Sequence, residues 1–310
     1  MGLFQMQTAI GESQTLTGIT VPCQPVIFRC KSLIHLVLLV LNVPLRLPGT
    51  LFLRNLVERR SLLFQLVRRD FEQRFVGSAI GWIWSLIHPL VLLVSWTFVF
   101  QFCLGMKGPE GVPSYPLFIF AGMLPWMLFS ETVQRSAPSL LDQANLITKT
   151  VFPAEIVPVS IFLSTLISHL IAVLLMVAAM GVGYNQISIF LLVLPFYMLA
   201  TGLLAVGLGW VAASLNVFLR DTAQLVSVVF TFWFWLTPIF IEEDRFPGKA
   251  RFLLAANPLY YLVRAYRAVL LYATMPSPRD LAIAVLFGAA IFVCGGLFFR
   301  YMKRGFADVL

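Results

Sequence analysis

What this 310-residue chain has least of is charge inside its apolar stretches. From Trp82 onward it carries six long apolar segments, and none holds an acidic or basic residue in its central part. Ionisable groups are costly in hydrocarbon and are kept there only for function, so their lack argues against a self-powered ion or proton pump. The phosphate-cradling pattern GxxxxGK(S/T) is also missing, which excludes ATP hydrolysis by a P-loop in this chain alone. The three histidines, His35, His88 and His169, stand in separate segments with no HExxH pattern. Four cysteines, Cys23, Cys30, Cys103 and Cys294, fit no zinc spacing and read as small hydrophobic side chains. Gly77–Gly81 is GSAIG, a GxxxG rather than the GxSxG of a serine hydrolase.

What is present is hydrophobicity. The chain is 59% hydrophobic and 12% charged, against about 25% charged residues in a soluble domain, which marks an all-α integral membrane protein. A helix needs roughly 20 apolar residues to cross the hydrocarbon core. Six transmembrane helices are expected at Trp82–Leu104, Tyr115–Arg135, Ile156–Val182, Ile187–Leu215, Ala223–Ile241 and Leu281–Met302. The net charge of +8 lies beside these spans, which the positive-inside rule explains better than nucleic-acid binding. With the amino terminus cytoplasmic, fifteen Lys and Arg fall inside and seven outside, so both termini are expected in the cytoplasm.

Six of the seven outside charges fall in Glu242–Asp280. Its apolar runs Phe252–Val263 and Ala265–Ala273, joined at Arg264, are too short to span and predict re-entrant helices in the outer leaflet; a plain external loop is the alternative. Asn257–Pro258 marks a turn. Before the first span, Leu56, Arg60, Leu63, Val67, Phe71 and Phe75 form a helical stripe, apolar apart from Arg60, within Arg54–Phe75. This pattern predicts an amphipathic helix on the cytoplasmic leaflet, with Arg59, Arg68, Arg69 and Arg74 toward anionic headgroups or a partner protein. Residues 1–53 form a poorly defined amino-terminal extension, residues 54–81 the interfacial helix and entry, and residues 82–310 the six-span domain.

Two groups of side chains invite a functional reading. Trp96, Trp126, Trp233 and Trp235 lie deep enough to stack on sugar rings along a pathway, or to serve as lipid-facing bulk. His88 and His169 fit either a pathway or hydrogen bonds between helices. Glu242-Glu243-Asp244 is the one dense acidic cluster, and a membrane enzyme acting on a lipid-linked sugar would need such a group to hold a metal; followed by Arg245, it reads better as a solvated loop.

Four stretches in order carry a family resemblance: LVRRDFEQRFVGSAIGWIWSLIHPL (Leu66–Leu90), NLITKTVFPAEIVPV (Asn145–Val159), LNVFLRD (Leu215–Asp221) and NPLYYLVRAYRAVLL (Asn257–Leu271). Over roughly Leu53–Leu310 the chain resembles the permease subunits of type-2 ABC exporters of polysaccharides such as O-antigen, capsule and teichoic acid. The resemblance implies a homodimer in the bacterial inner membrane and a lipid-linked polysaccharide as cargo. It also implies a separate ATPase subunit that binds the ATP and magnesium, leaving no cofactor in this chain. It further implies a coupling helix at Pro138–Phe152, with Asp142, Asn145 and Lys149 as contacts to the ATPase, and a second short loop carrying Arg220 and Asp221. The outer Asn257–Leu271 region, with Asn257, Pro258, Tyr260, Tyr261, Arg264 and Arg267, would guard the exit.

Overall fold

The computed structural model describes residues 59–74, 81–149, 152–185, 187–240, 243, 247–248 and 251–309, and these contain helices and turns but no strand. The expected extension 1–53, the GxxxG at Gly77–Gly81 apart from Gly81, and Glu242 and Asp244 lie outside the described residues. So do Cys23, Cys30, His35, Leu56 and Phe75.

The helices are α1 (Arg60–Gln73), α2 (Trp84–Trp96, continuing as a π-helix through Cys103), α3 (Tyr115–Ser136), α4 (Ser139–Asp142), α5 (Ala144–Lys149) and α6 (Ile156–Tyr184). They are followed by α7 (Leu194–Phe218), α8 (Thr222–Leu236), α9 (Arg251–Ala256), α10 (Pro258–Leu270), α11 (Pro278–Met302) and α12 (Phe306–Val309). Five segments are long and apolar enough to cross a membrane: Trp84–Cys103, Tyr115–Ser136, Ile156–Tyr184, Ile189–Phe218 and Pro278–Gly305.

The fifth expected span is shorter than its hydropathy suggests. α8 has 15 residues, roughly 22 Å at the α-helical rise, against about 30 Å of hydrocarbon. Pro238 explains where it stops. A proline disfavours the helical region for the residue before it, and Thr237 is extended, with ψ 131°.

α3 is the central post. In its apolar window 83% of residues are buried, against 6% for α2, and it packs on α6, α7 and α10. α2 and α8 lie at the periphery and turn Val91, Val94, Phe98, Leu225, Val228 and Phe232 outward. α7 and α11 make the most extensive helix pair. Their backbones meet at Gly207 and Gly295, where a Cβ on Gly295 would fall 2.2 Å from the Gly207 carbonyl oxygen. Such an approach needs residues without side chains. Of the small-residue pairs legible in the sequence, Ala284 and Gly288 belong to this seam, Gly288 facing the Ala200 carbonyl. Gly209 instead faces Ser136 and Pro158.

The expected pair of short helices between α8 and α11 is α9 and α10, but the break falls at Asn257, and Arg264 sits inside α10. Asn257 explains this: its Oδ1 accepts from the Leu259 N–H at 3.0 Å, capping α10, and Pro258 occupies the first turn. The same oxygen accepts from Trp233 Nε1 at 3.0 Å, while Nδ2 donates to Thr237 Oγ1 at 3.0 Å, so one buried side chain joins the end of α8 to the start of α10.

The α7–α11 seam gives a direct expectation. Gly295→Val forces the helices apart at a cost of about 1–3 kcal/mol, the usual range for overpacking. It should lower the midpoint of thermal unfolding in detergent, while Gly183→Ala, at a position with open space around its Cα, should not.

Candidate functional site

The α1 end of the bundle collects charge that the spans exclude. α1 lies against α6 with Leu66 buried, and the turns after it direct Asp70 and Arg74 at the bundle, while Arg59, Arg68 and Glu72 face outward. The inward face is therefore rotated from the expected stripe: Arg60 is exposed, and charged Asp70 and Arg74 continue the line begun by Leu66. They turn inward because α3 ends on matching charges one helical turn apart. Arg74 Nη1 meets Glu131 Oε1 at 2.8 Å, and Arg135 Nη2 meets Asp70 Oδ1 at 2.8 Å. The contacts along each helix, Arg74–Asp70 and Arg135–Glu131, are longer, at 3.9 and 4.0 Å. Arg74 also donates to Thr165 Oγ1 at 2.8 Å and to Ser168 Oγ at 3.2 Å on α6, so one guanidinium ties three helices. Burial pulls its pKa down, and Glu131 opposes that shift. Arg68 turns the other way, donating to Glu72 at 2.7 Å in an exposed pair.

Beneath this clamp is a cavity of about 460 Å³ lined by α1, the end of α3, and α4–α5. It brings together three side chains singled out in the sequence, Arg69, Asp142 and Asn145, with Asp70, Arg135 and Gln143. Arg69 Nε and Gln143 Oε1 are buried there with no hydrogen-bond partner among the described residues. Buried polar groups are rarely left so, and a water or another polar group would satisfy them. Burial also raises the Asp142 pKa. The Lys149 side chain lies outside the described atoms. Arg220 and Asp221 are exposed on the α7–α8 turn and do not line this cavity. Nearby, Glu155 at the head of α6 accepts from Lys303 Nζ at 2.7 Å, and its carbonyl accepts from Trp210 Nε1 at 3.0 Å, pinning the chain's last turns to this end.

At the opposite end α10 packs against α3 and α11. Arg264 grips Asp280 with Nε and Nη2 at 2.8 and 3.1 Å and donates to the Tyr260 hydroxyl at 3.1 Å. Tyr260 in turn donates to Glu243, and Tyr261 donates to the Ala255 carbonyl at 2.9 Å. Arg267 is buried: its Nη2 donates to the Ile239 carbonyl at 2.5 Å, and its guanidinium carbon lies 3.6 Å from the Phe118 ring centre. Gly122 leaves the room, since a Cβ there would fall 2.8 Å from Nη2. Arg264, Arg267, Tyr260, Glu243 and Phe118 line a cavity of about 230 Å³ with Tyr272 and Pro238.

The four tryptophans divide. Trp126 and Trp233 join Phe129, Phe230 and Phe234 in one aromatic cluster between α3 and α8. Trp96 packs edge-on against Phe120 at 6.4 Å. Trp235 is 67% exposed on the outer face of α8. Among the described residues no three His, Cys, Asp or Glu side chains are grouped to hold a metal. Sequence reasoning did not assign the clamp's carboxylates; the i,i+4 charges closing α3, opposite i,i+4 charges closing α1, were the available signal.

The chain matches the family model described as ABC-2 type transporter over residues 61–271. It is 28% identical over 258 residues to the O-antigen export system permease protein RfbA of Myxococcus xanthus, covering 82% of this chain and 97% of that one. Its identity to the protein of the same name from Klebsiella pneumoniae is 26% over 250 residues, covering 80% and 95%. A polysialic acid transport protein, KpsM of Escherichia coli, is 24% identical over 205 residues, covering 65% and 78%.

Two outcomes are expected at this site. Arg74→Ala leaves Glu131 half-buried without its closest counter-charge and should cost about 1–3 kcal/mol, between the surface and buried limits for ion pairs. Glu131→Gln added to it should restore part of the loss in a double-mutant cycle read by thermal unfolding. Asp142 carries a raised pKa, so its charged form is disfavoured by folding and this cost is present at neutral pH. Asp142→Asn should therefore raise the unfolding midpoint at pH 7, with the gain disappearing below the ordinary carboxylate range.

Proposed function

We infer this protein's role from its membership: the chain belongs to the ABC-2 type transporter family. It is a membrane transporter subunit that carries polysaccharide outward, not itself a catalyst. The finer reading is that two copies form the permease and a separate ATPase subunit binds ATP and magnesium on the cytoplasmic side. The cargo is a lipid-linked polysaccharide of the O-antigen or capsule kind, in keeping with the names of the relatives. α8, extended by the turn at Thr237–Phe240, acts as the short fifth of six crossings. α9 and α10 are the re-entrant pair on the outer side. Both termini lie in the cytoplasm of the bacterial inner membrane, in keeping with fifteen cationic residues inside against seven outside.

The observation that carries the reading is the open polar cavity where α1, α3 and α4–α5 converge, with Arg69 Nε and Gln143 Oε1 left for a partner to satisfy. A protein seated there would press on α4–α5, and the Arg74 clamp would pass the load to α3 and α6. Apolar spans without charge suit a conduit whose energy arrives from outside the membrane.

Charge reversal at Asp142 and Lys149 (D142K, K149E) tests it. Membrane insertion should be normal, while surface glycan falls about tenfold or more and the ATPase subunit co-purifies poorly. Normal export with normal ATPase association in that double mutant would remove the coupling assignment.

A further inference from the structure

A polar contact between α6 and α10 lies in the interior that the charge pattern leaves empty. His169 Nε2 on α6 lies 3.0 Å from the Tyr266 hydroxyl on α10, with the rings edge-on and their centres 5.7 Å apart. Both side chains are buried. Each sits next to a residue already tied to one end of the bundle. Ser168, the neighbour of His169, accepts from Arg74 of the α1 clamp, and Thr165 one turn earlier does the same. Arg267, the neighbour of Tyr266, holds the Ile239 carbonyl and covers Phe118, and Arg264 below it grips Asp280. His169 itself lines a cavity of about 180 Å³ shared with Arg74 and Glu131.

Resting on the exporter reading, we propose that the His169–Tyr266 hydrogen bond is the positioning contact that makes α10 follow α6 when the α1 clamp is loaded. The argument is directional. Apolar contacts between two helices fix no single donor–acceptor geometry, whereas a buried hydrogen bond specifies distance and angle. Separating the pair would leave two buried polar groups unsatisfied, at about 1–3 kcal/mol each. A displacement of α6 is therefore relieved most cheaply by moving α10 with it. His169 and Tyr266 thus link the clamp at one end to the arginine-lined cavity at the other, through adjacent residues on two helices.

Tyr266→Phe removes only the hydroxyl and keeps the ring. His169→Leu removes the ring nitrogens, and His169→Gln restores a hydrogen-bonding end near the same place. Each variant is expressed with its ATPase subunit in a strain lacking this gene. Surface glycan on intact cells is labelled after periodate oxidation, and ATP hydrolysis is measured on the purified complex in proteoliposomes. Tyr266→Phe and His169→Leu should assemble and hydrolyse ATP as the wild type does, while export per ATP falls on the order of five- to tenfold. His169→Gln should recover most of it, and the Leu/Phe double variant should be no worse than either single one. Wild-type export per ATP in Tyr266→Phe would overturn the proposal, as would losses that multiply in the double variant. Parallel loss of yield, hydrolysis and export would also overturn it, by marking a purely structural contact. If the wild-type complex itself moves no glycan, the exporter reading fails instead.

Discussion

The Arg74 guanidinium ties the end of α1 to α3 and α6, and the packing at this end of the bundle depends on it. It is 14% exposed, contacts Glu131 on α3 and Thr165 and Ser168 on α6, and sits at the end of a helix that otherwise lies outside the bundle. Without it, α1 would rest on α6 through Leu66 and its half-buried apolar neighbours, contacts that resist separation but not sliding. The second pair, Arg135 with Asp70, fixes the register of α1 along α3. The two pairs join the end of α1 to the end of α3 at two points one helical turn apart. Four opposite charges in one place also let the group sit at the edge of an apolar bundle with no net charge to solvate.

The rest of the bundle divides into stiff and open parts. The glycine seam of α7 and α11 and the buried length of α3 form the stiff part, since close backbone packing leaves few ways to move. α2 and α8 touch this core lightly and turn large apolar faces outward. The cavities lie beside α3 at both ends.

Much of the fold was legible in one sequence because lipid imposes a simple rule. Backbone polar groups in hydrocarbon must be satisfied internally, so long apolar runs become helices. With helical periodicity, that rule anticipated the five long apolar spans, a helix before the first of them and short helices between α8 and α11. It overestimated the helical run before Pro238, because hydropathy does not register where a proline ends a helix. Part of the polar cavity was legible through Asp142 and Asn145, which the resemblance singled out between two spans and which the fold brings to its wall. Trp126 and Trp233 were legible as deep aromatics, but their neighbours Phe129 and Phe230 come from separate helices, and no spacing in the chain announces that cluster.

The sequence by itself determined that this chain is a bundle of membrane helices with its charge at the ends, because an unpaired charge in hydrocarbon is costly and is kept there only for function. It also determined the cap at Asn257–Pro258, a local matter of one side chain and one missing N–H. Only the tertiary structure decided which charges meet. Arg74 and Glu131 are separated by more than fifty residues, and His169 and Tyr266 by 97. Their pairing depends on the rotation of each helix about its own axis, set by packing such as the Gly207–Gly295 contact on two other helices. Rotations of that kind are a property of the assembled bundle, and no single segment encodes them.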